Sequence, residues 1–197
     1  DTSFGSSGNI LTQHGGNFCY YHDVALSPSN KLIISFSYQT SSTTKYAVTS
    51  YDLNGNLDTS FGTSGVKIIS SDDLAVADYN TSKIKILSDG KILIVGSRNT
   101  SSNTKATFIV RLNSNGSTDS SFGTSGVVNI SYGATNYASA VDVDGDKIII
   151  PLNFKSSLVE ENKAVVTRRT STGSLDTSFG TVGYTDALSS YTSLGYE

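Results

Sequence analysis

A ten-residue run, Leu57 to Val66, reads Leu-Asp-Thr-Ser-Phe-Gly-Thr-Ser-Gly-Val and returns almost unchanged at Thr118 to Val127 and at Leu175 to Tyr184. Its core, Asp-Thr-Ser-Phe-Gly, also opens the chain at Asp1 to Gly5. The aspartates that mark the copies, Asp1, Asp58, Asp119 and Asp176, stand 57, 61 and 57 residues apart. A period near sixty constrains the fold more than any composition value, because each unit must bury its apolar face against its neighbours in the array. The repeats are 1–57, 58–118 and 119–175, followed by a partial repeat, 176–197. Because the first residue falls inside the motif, the chain is expected to be a segment of a longer repeat protein.

Within a unit the apolar residues alternate or cluster in short β-rich runs. Unit two offers Gly65–Ile69, Ile84–Leu87, Lys91–Val95 and Thr107–Leu112. Unit three offers Val127–Ile130, Ala140–Val143, Ile148–Ile150 and Ala164–Arg168 in the same order. Unit one supplies Ile10 and Leu11, then Val24–Leu26, Lys31–Phe36 and Tyr46–Tyr51. None of these has helical spacing, and Gly, Pro, Asn and Ser separate them. Asp89-Gly90 between two apolar runs predicts a tight antiparallel hairpin. Gly15–Asp23 reads as an aromatic-rich loop, and Ser97–Thr104 as a polar loop at a hairpin end.

The fold class expected is all-β: tandem four-stranded antiparallel repeats forming β-propeller blades. Closed propellers take about 4–8 blades, so three units make a partial propeller. Further units or other copies of the chain complete it, with residues 176–197 lending a strand to a neighbour.

Inside the motif each residue type has a structural task. The aspartate accepts hydrogen bonds from residues just after it, the phenylalanines Phe4, Phe61, Phe122 and Phe179 fill the core, and the glycines supply positive φ. The run Asp89 to Gly96, followed by Phe108 to Gly116 and the next motif, resembles the delta-60 repeat of bacterial surface and secreted proteins. That resemblance covers essentially the whole chain and implies propeller-type blades and an extracellular or cell-surface location. Unit one departs from it with Ser29-Asn30 before Lys31, and unit three with Asp144-Gly-Asp146 before Lys147. It brings no catalytic residues.

Charged residues make up 16% of the chain and the net charge is −3, which leaves no electrostatic footprint for nucleic acid. No apolar run is long enough for membrane insertion. Cys19 is alone, so no disulfide forms within the chain. His14 and His22, with Asp23, lack a third ligand, so no metal is expected, and the carboxylates at Asp142–Asp146 read as a turn. There is neither a Gly-x-Ser-x-Gly elbow nor a phosphate-cradling glycine loop, which excludes those cofactor and nucleophile chemistries and predicts a chain that is not an enzyme.

One aromatic pattern remains. Tyr20, Tyr21 and His22, then Tyr79 and Asn80, then Asn136 and Tyr137, recur before the second strand of each unit. Tyr and Asn together offer a flat apolar face and hydrogen-bonding groups, suited to sugars or polar protein surfaces. Superposed units place these residues on one rim, with Tyr21, Tyr79 and Tyr137 equivalent. The function expected is recognition or adhesion at a cell surface, with a glycan or surface protein as partner. The alternative is a passive spacer or fibre segment.

Overall fold

The computed structural model describes residues 1–10, 18–40, 44–69, 82–101, 104–155 and 163–186. These residues form three antiparallel sheets and no helix. The first runs in the order β1 (Phe18–Leu26), β2 (Lys31–Gln39), β3 (Thr44–Asp52), β4 (Val66–Ile69). The second repeats the plan with β5 (Lys83–Ile86), β6 (Ile92–Ser101), β7 (Thr104–Leu112) and β8 (Val127–Ile130). In the third, β9 (Thr135–Ala138) and β10 (Asp142–Asp144) both pair with β11 (Lys147–Lys155), which is followed by β12 (Lys163–Arg169) and β13 (Tyr184–Asp186).

Each sheet is a blade, and each blade straddles two sequence repeats. The motif is the reason. Asp58 N donates to the Ser50 carbonyl at 2.9 Å and Tyr51 bridges Leu57, which holds the motif against the end of β3. The chain reverses there and returns beside the strand it has just left, pairing Val66 with Thr49. The strand after a motif therefore closes the preceding blade. The third blade ends the same way, with Tyr184 paired to Thr167, so the strand expected to reach a neighbouring molecule is used within its own sheet.

Two other expectations change. The aromatic run before Asp23 is strand rather than loop, since Phe18, Cys19, Tyr20 and Tyr21 pair with Gln39, Tyr38, Ser37 and Phe36. High β-propensity and a long partner strand favour the extended backbone from Phe18 on, while residues 15–17 of the expected loop lie outside the described residues. A bulge between Tyr21 and Asp23 takes up one extra residue, His22. Likewise Ser97, Arg98 and Asn99 pair with Thr107, Ala106 and Lys105, extending the β6–β7 hairpin through the polar stretch. The Asp89-Gly90 turn forms as expected: Gly90 has φ +81° and β5 pairs with β6 on either side.

The blades stack face to face. We call the side of a blade towards the earlier blade its N-terminal face, and the other its C-terminal face. Strand alternation sends Ile33, Tyr46 and Val48 to the C-terminal face of blade one, where they meet Ile84, Ile92, Ile94, Phe108 and Val110 of blade two. The next junction repeats this arrangement, with Leu93, Val95 and Ile109 against Ile148, Ile150 and Leu152. Nearly continuous apolar runs such as Ile92–Val95 are thus explained, because an inner blade is covered on both faces.

The motif closes each junction. Phe61 and Phe122 are buried in the two interblade cores. The next residue donates its N–H across the gap: Gly62 to the Asn115 carbonyl at 2.8 Å, and Gly123 to the Thr172 carbonyl at 2.9 Å. Gly5 does the same to Asn54 at 2.8 Å, seating the opening motif on blade one. Arg111 lies over the Phe122 ring at 4.5 Å and also donates to the Ser171 carbonyl of the following turn.

In each copy the aspartate accepts from the serine two residues on, through both backbone N–H and hydroxyl, as Asp119 does from Ser121 at 3.1 and 2.6 Å. Its other oxygen takes a cation: Lys31 on Asp58 at 3.1 Å, Arg111 on Asp119 at 2.8 Å, Arg168 on Asp176 at 2.9 Å. The serine hydroxyl is the largest of the influences that hold all three carboxyls below their ordinary range, and the neighbouring cations add to it. A depressed folded pKa means the stabilisation is present above the unfolded value near 4 and is lost as pH falls towards the folded values. The urea midpoint is therefore expected to be level above about pH 5 and to fall between about pH 4 and pH 2. Asp119→Asn should flatten part of that fall. A midpoint unchanged down to about pH 2 would show that the motif carboxylates do not stabilise the fold.

Candidate functional site

The residues singled out for binding separate into three groups. Tyr20, Tyr21 and His22 lie on β1, which among the described residues is the edge strand of its sheet. Asn136 and Tyr137 lie on β9. Tyr79 and Asn80 fall outside the described residues, so they cannot be placed with the others.

Register decides which side chains correspond. Tyr20 pairs with Ser37 and Tyr137 with Asn153, and Ser37 and Asn153 occupy the same position after Lys31 and Lys147. Tyr137 is thus the counterpart of Tyr20. Tyr21 pairs with Phe36 and corresponds to Ala138, which pairs with Leu152. The expected equivalence of Tyr21 and Tyr137 is wrong by one residue, and in a strand one residue is the difference between the two faces. Tyr20 and Tyr137 are 41% and 36% exposed, and Phe18, which the sequence reading passed over, is 58% exposed on the same side of β1 as Tyr20.

Asn136 is not available to a ligand. It is 1% exposed, its Oδ1 accepts from Thr107 N at 2.9 Å, and its Nδ2 donates to the Tyr132 carbonyl at 3.1 Å. It joins blade three to β7 of blade two, which is the physical reason an amide sits at this inward position. Asp23 does comparable work, accepting from Ile84 N of blade two at 2.9 Å.

His22 is part-buried, with Nε2 2.9 Å from Ser37 Oγ and its ring 5.7 Å from that of Tyr46. Burial, with Lys83 nearby, lowers its pKa, so the ring is neutral near pH 7. Beside it opens a cleft of about 550 Å³ lined by Phe4, Ile10, Tyr21, His22, Val24 and Leu32. The lining is mostly apolar. Tyr21, 53% exposed, supplies stacking surface there, while Phe18 and Tyr20 lie on the opposite face of β1.

Residues 87–122 match a family described as a domain of unknown function (DUF5122) beta-propeller. The matched stretch runs from the Asp89-Gly90 hairpin through β6 and β7 into the third copy of the motif, ending at Phe122. No curated protein matches the sequence. Among solved structures, an alpha-L-arabinofuranosidase from Clostridium thermocellum is similar, at 13% identity and a TM-score of 0.44, over 87% of this chain. This chain spans about half of that enzyme, 51% of its length.

The expectation that the chain is not an enzyme is withdrawn, since this match is with a glycoside hydrolase. The sequence argument behind it was also too narrow: glycoside hydrolysis needs a suitably spaced carboxylate pair, not a serine elbow or a phosphate loop. At 13% identity and a TM-score of 0.44, no property passes from that enzyme to this chain. Together the sheets and the family match establish an all-β protein of propeller-type, four-stranded antiparallel blades.

Proposed function

We propose that this chain is an extracellular or cell-surface recognition module, of delta-60 type, that binds glycan or surface protein through aromatic side chains on the edge strands of its blades. The observation that carries this reading is the exposed pair Tyr20 and Tyr137, at one register position in two blades, with Phe18 beside the first. Partly exposed aromatics on edge strands are suited to stack on sugar rings, and repetition adds avidity from weak single sites. Tyr21 and His22 line the cleft, which opens on the other face of β1 and offers a second apolar surface. Asn136 has no part in it.

The test is the double variant Tyr20→Ala, Tyr137→Ala, assayed on a glycan array and for adherence to cells. Binding is expected to fall at least about tenfold while the melting temperature moves by only a few degrees, since exposed side chains contribute little to stability. Unchanged adherence would contradict the reading. So would a large loss of melting temperature, which would make the two rings structural.

A further inference from the structure

The two internal junctions define what a complete blade interface contains, and against that standard the N-terminal face of blade one and the C-terminal face of blade three are incomplete among the described residues. On blade two the N-terminal face is closed: Ile84 is 8% exposed, and Ile92 and Ile94 are 1% exposed. The matching side chains on blade one are open. Val24, the counterpart of Ile84, is 58% exposed, Leu26 is 56% exposed, and Leu32 and Ile34 are half-buried. At the other end, blade three turns Ile149 and Val166 outward, in the positions that Ile33 and Val48 occupy in blade one's buried junction. Phe179 is half-buried there, whereas Phe61 and Phe122 are buried. Gly180 N is the next member of the Gly62 and Gly123 series, and among the described residues no acceptor faces it.

We infer that the C-terminal face of blade three docks on the N-terminal face of blade one of a second copy of this chain, head to tail. The occupant follows from continuity with the existing junctions. The seat on blade one is already shaped for a motif, because Asp1 to Gly5 is identical to Asp176 to Gly180 and makes the bond to the Asn54 carbonyl that Gly180 would make. The chain's own opening motif fills only part of that seat. Phe4 and Ile10 line the cleft, while Tyr21, Val24 and Leu26 remain exposed beyond them.

When the second copy docks, its motif at 176–183 replaces residues 1–10 in the seat. The hydrogen bonds lost and gained are the same in kind, so the exchange is close to neutral in polar contacts. The gain is apolar: strands β11 and β12 of the incoming blade cover Val24 and Leu26, which no short segment can do. Two different faces meet, so the contact is heterologous and generates open chains or a closed ring rather than a two-fold dimer. The seat on blade one uses Val24 and Leu26, on the face opposite Tyr20, whereas the docking face of blade three is the one that carries Tyr137, so variants at Val24 and Leu26 test the association apart from Tyr20.

The test is sedimentation velocity on the full chain from about 1 μM to about 1 mM, a span that covers weak self-association. The wild-type chain is expected to form larger species as concentration rises. Val24→Glu with Leu26→Glu blocks one face and Val166→Glu blocks the other, so each variant alone should be monomeric. An equimolar mixture should form a heterodimer that grows no further, through the one intact face of each. Far-ultraviolet circular dichroism checks that the variants are folded, and Val24→Ser with Leu26→Ser, or Ile149→Glu, replaces any that is not. A wild-type chain that stays monomeric throughout, variants that associate undiminished, or a mixture that stays monomeric would each overturn the inference.

Discussion

Phe122→Ala is expected to lower stability by about 3–5 kcal/mol, while Phe179→Ala, the same change in the next copy of the motif, should cost much less. The two residues share their local environment. Each follows an aspartate–serine turn, and each lies under an arginine, Arg111 at 4.5 Å and Arg168 at 4.6 Å. They differ in what covers the ring. Phe122 is fully buried between blades two and three, with the turn at Gly173 against it, whereas Phe179 is half-buried, with no blade over it among the described residues. Truncating a ring in a packed junction leaves a cavity as well as losing transfer energy, and truncating one at an open face leaves neither cavity nor much lost burial. Urea denaturation of both variants decides the point. Equal losses would mean the motif stabilises its own turn and does not act as a lock between blades.

Gly116→Ala is expected to be nearly as damaging, by about 2–5 kcal/mol, because two separate penalties add. Gly116 has φ +81°, and a methyl group there would lie 2.8 Å from Gly62 N and 2.9 Å from the Phe61 ring. The first penalty is backbone strain; the second forces apart the contact that joins blade one to blade two. Gly145 separates the two effects. It also has positive φ, +59°, but nothing lies within 4 Å of the position a methyl group would take. Gly145→Ala should therefore cost only about 1 kcal/mol, the strain alone. If both substitutions cost the same, close approach between the blades contributes nothing at Gly116.

The comparison of sequence and structure turns on a few elements. The all-β class, the antiparallel hairpin at Asp89-Gly90 and the structural role of the motif were legible because each rests on local chemistry: strand periodicity, a turn needing positive φ, a carboxylate capped by the next serine. The straddling of repeats by blades was not legible. A repeat in sequence has no marked beginning, and the pairing of Val66 with Thr49 is a consequence of the reversal at the motif, which no single unit displays. The site residues failed in an equally local way. Tyr20 and Tyr21 alternate across β1, and the turn at Ser27–Asn30 holds one residue more than the turn before Lys147, since Leu26 pairs with Leu32 but Val143 with Ile148, so counting back from the lysine aligns Tyr137 with Tyr21 instead of Tyr20. Asn136 was read as a binding group because an amide beside a tyrosine is typical of sugar sites, but its amide is used by Thr107 and Tyr132.

The three blades are held together by one recurring junction, a buried phenylalanine followed by a glycine N–H that crosses to the next turn. Native-state hydrogen exchange in dilute solution, followed by NMR at individual amides, tests that most directly. The account predicts slow exchange at Gly62 and Gly123, whose N–H groups bond to Asn115 and Thr172, and exchange at an open-loop rate at Gly180, which has the same local motif but, among the described residues, no facing turn. Equal protection at all three positions would assign the bond to the motif itself, and fast exchange at Gly62 and Gly123 would contradict the junction.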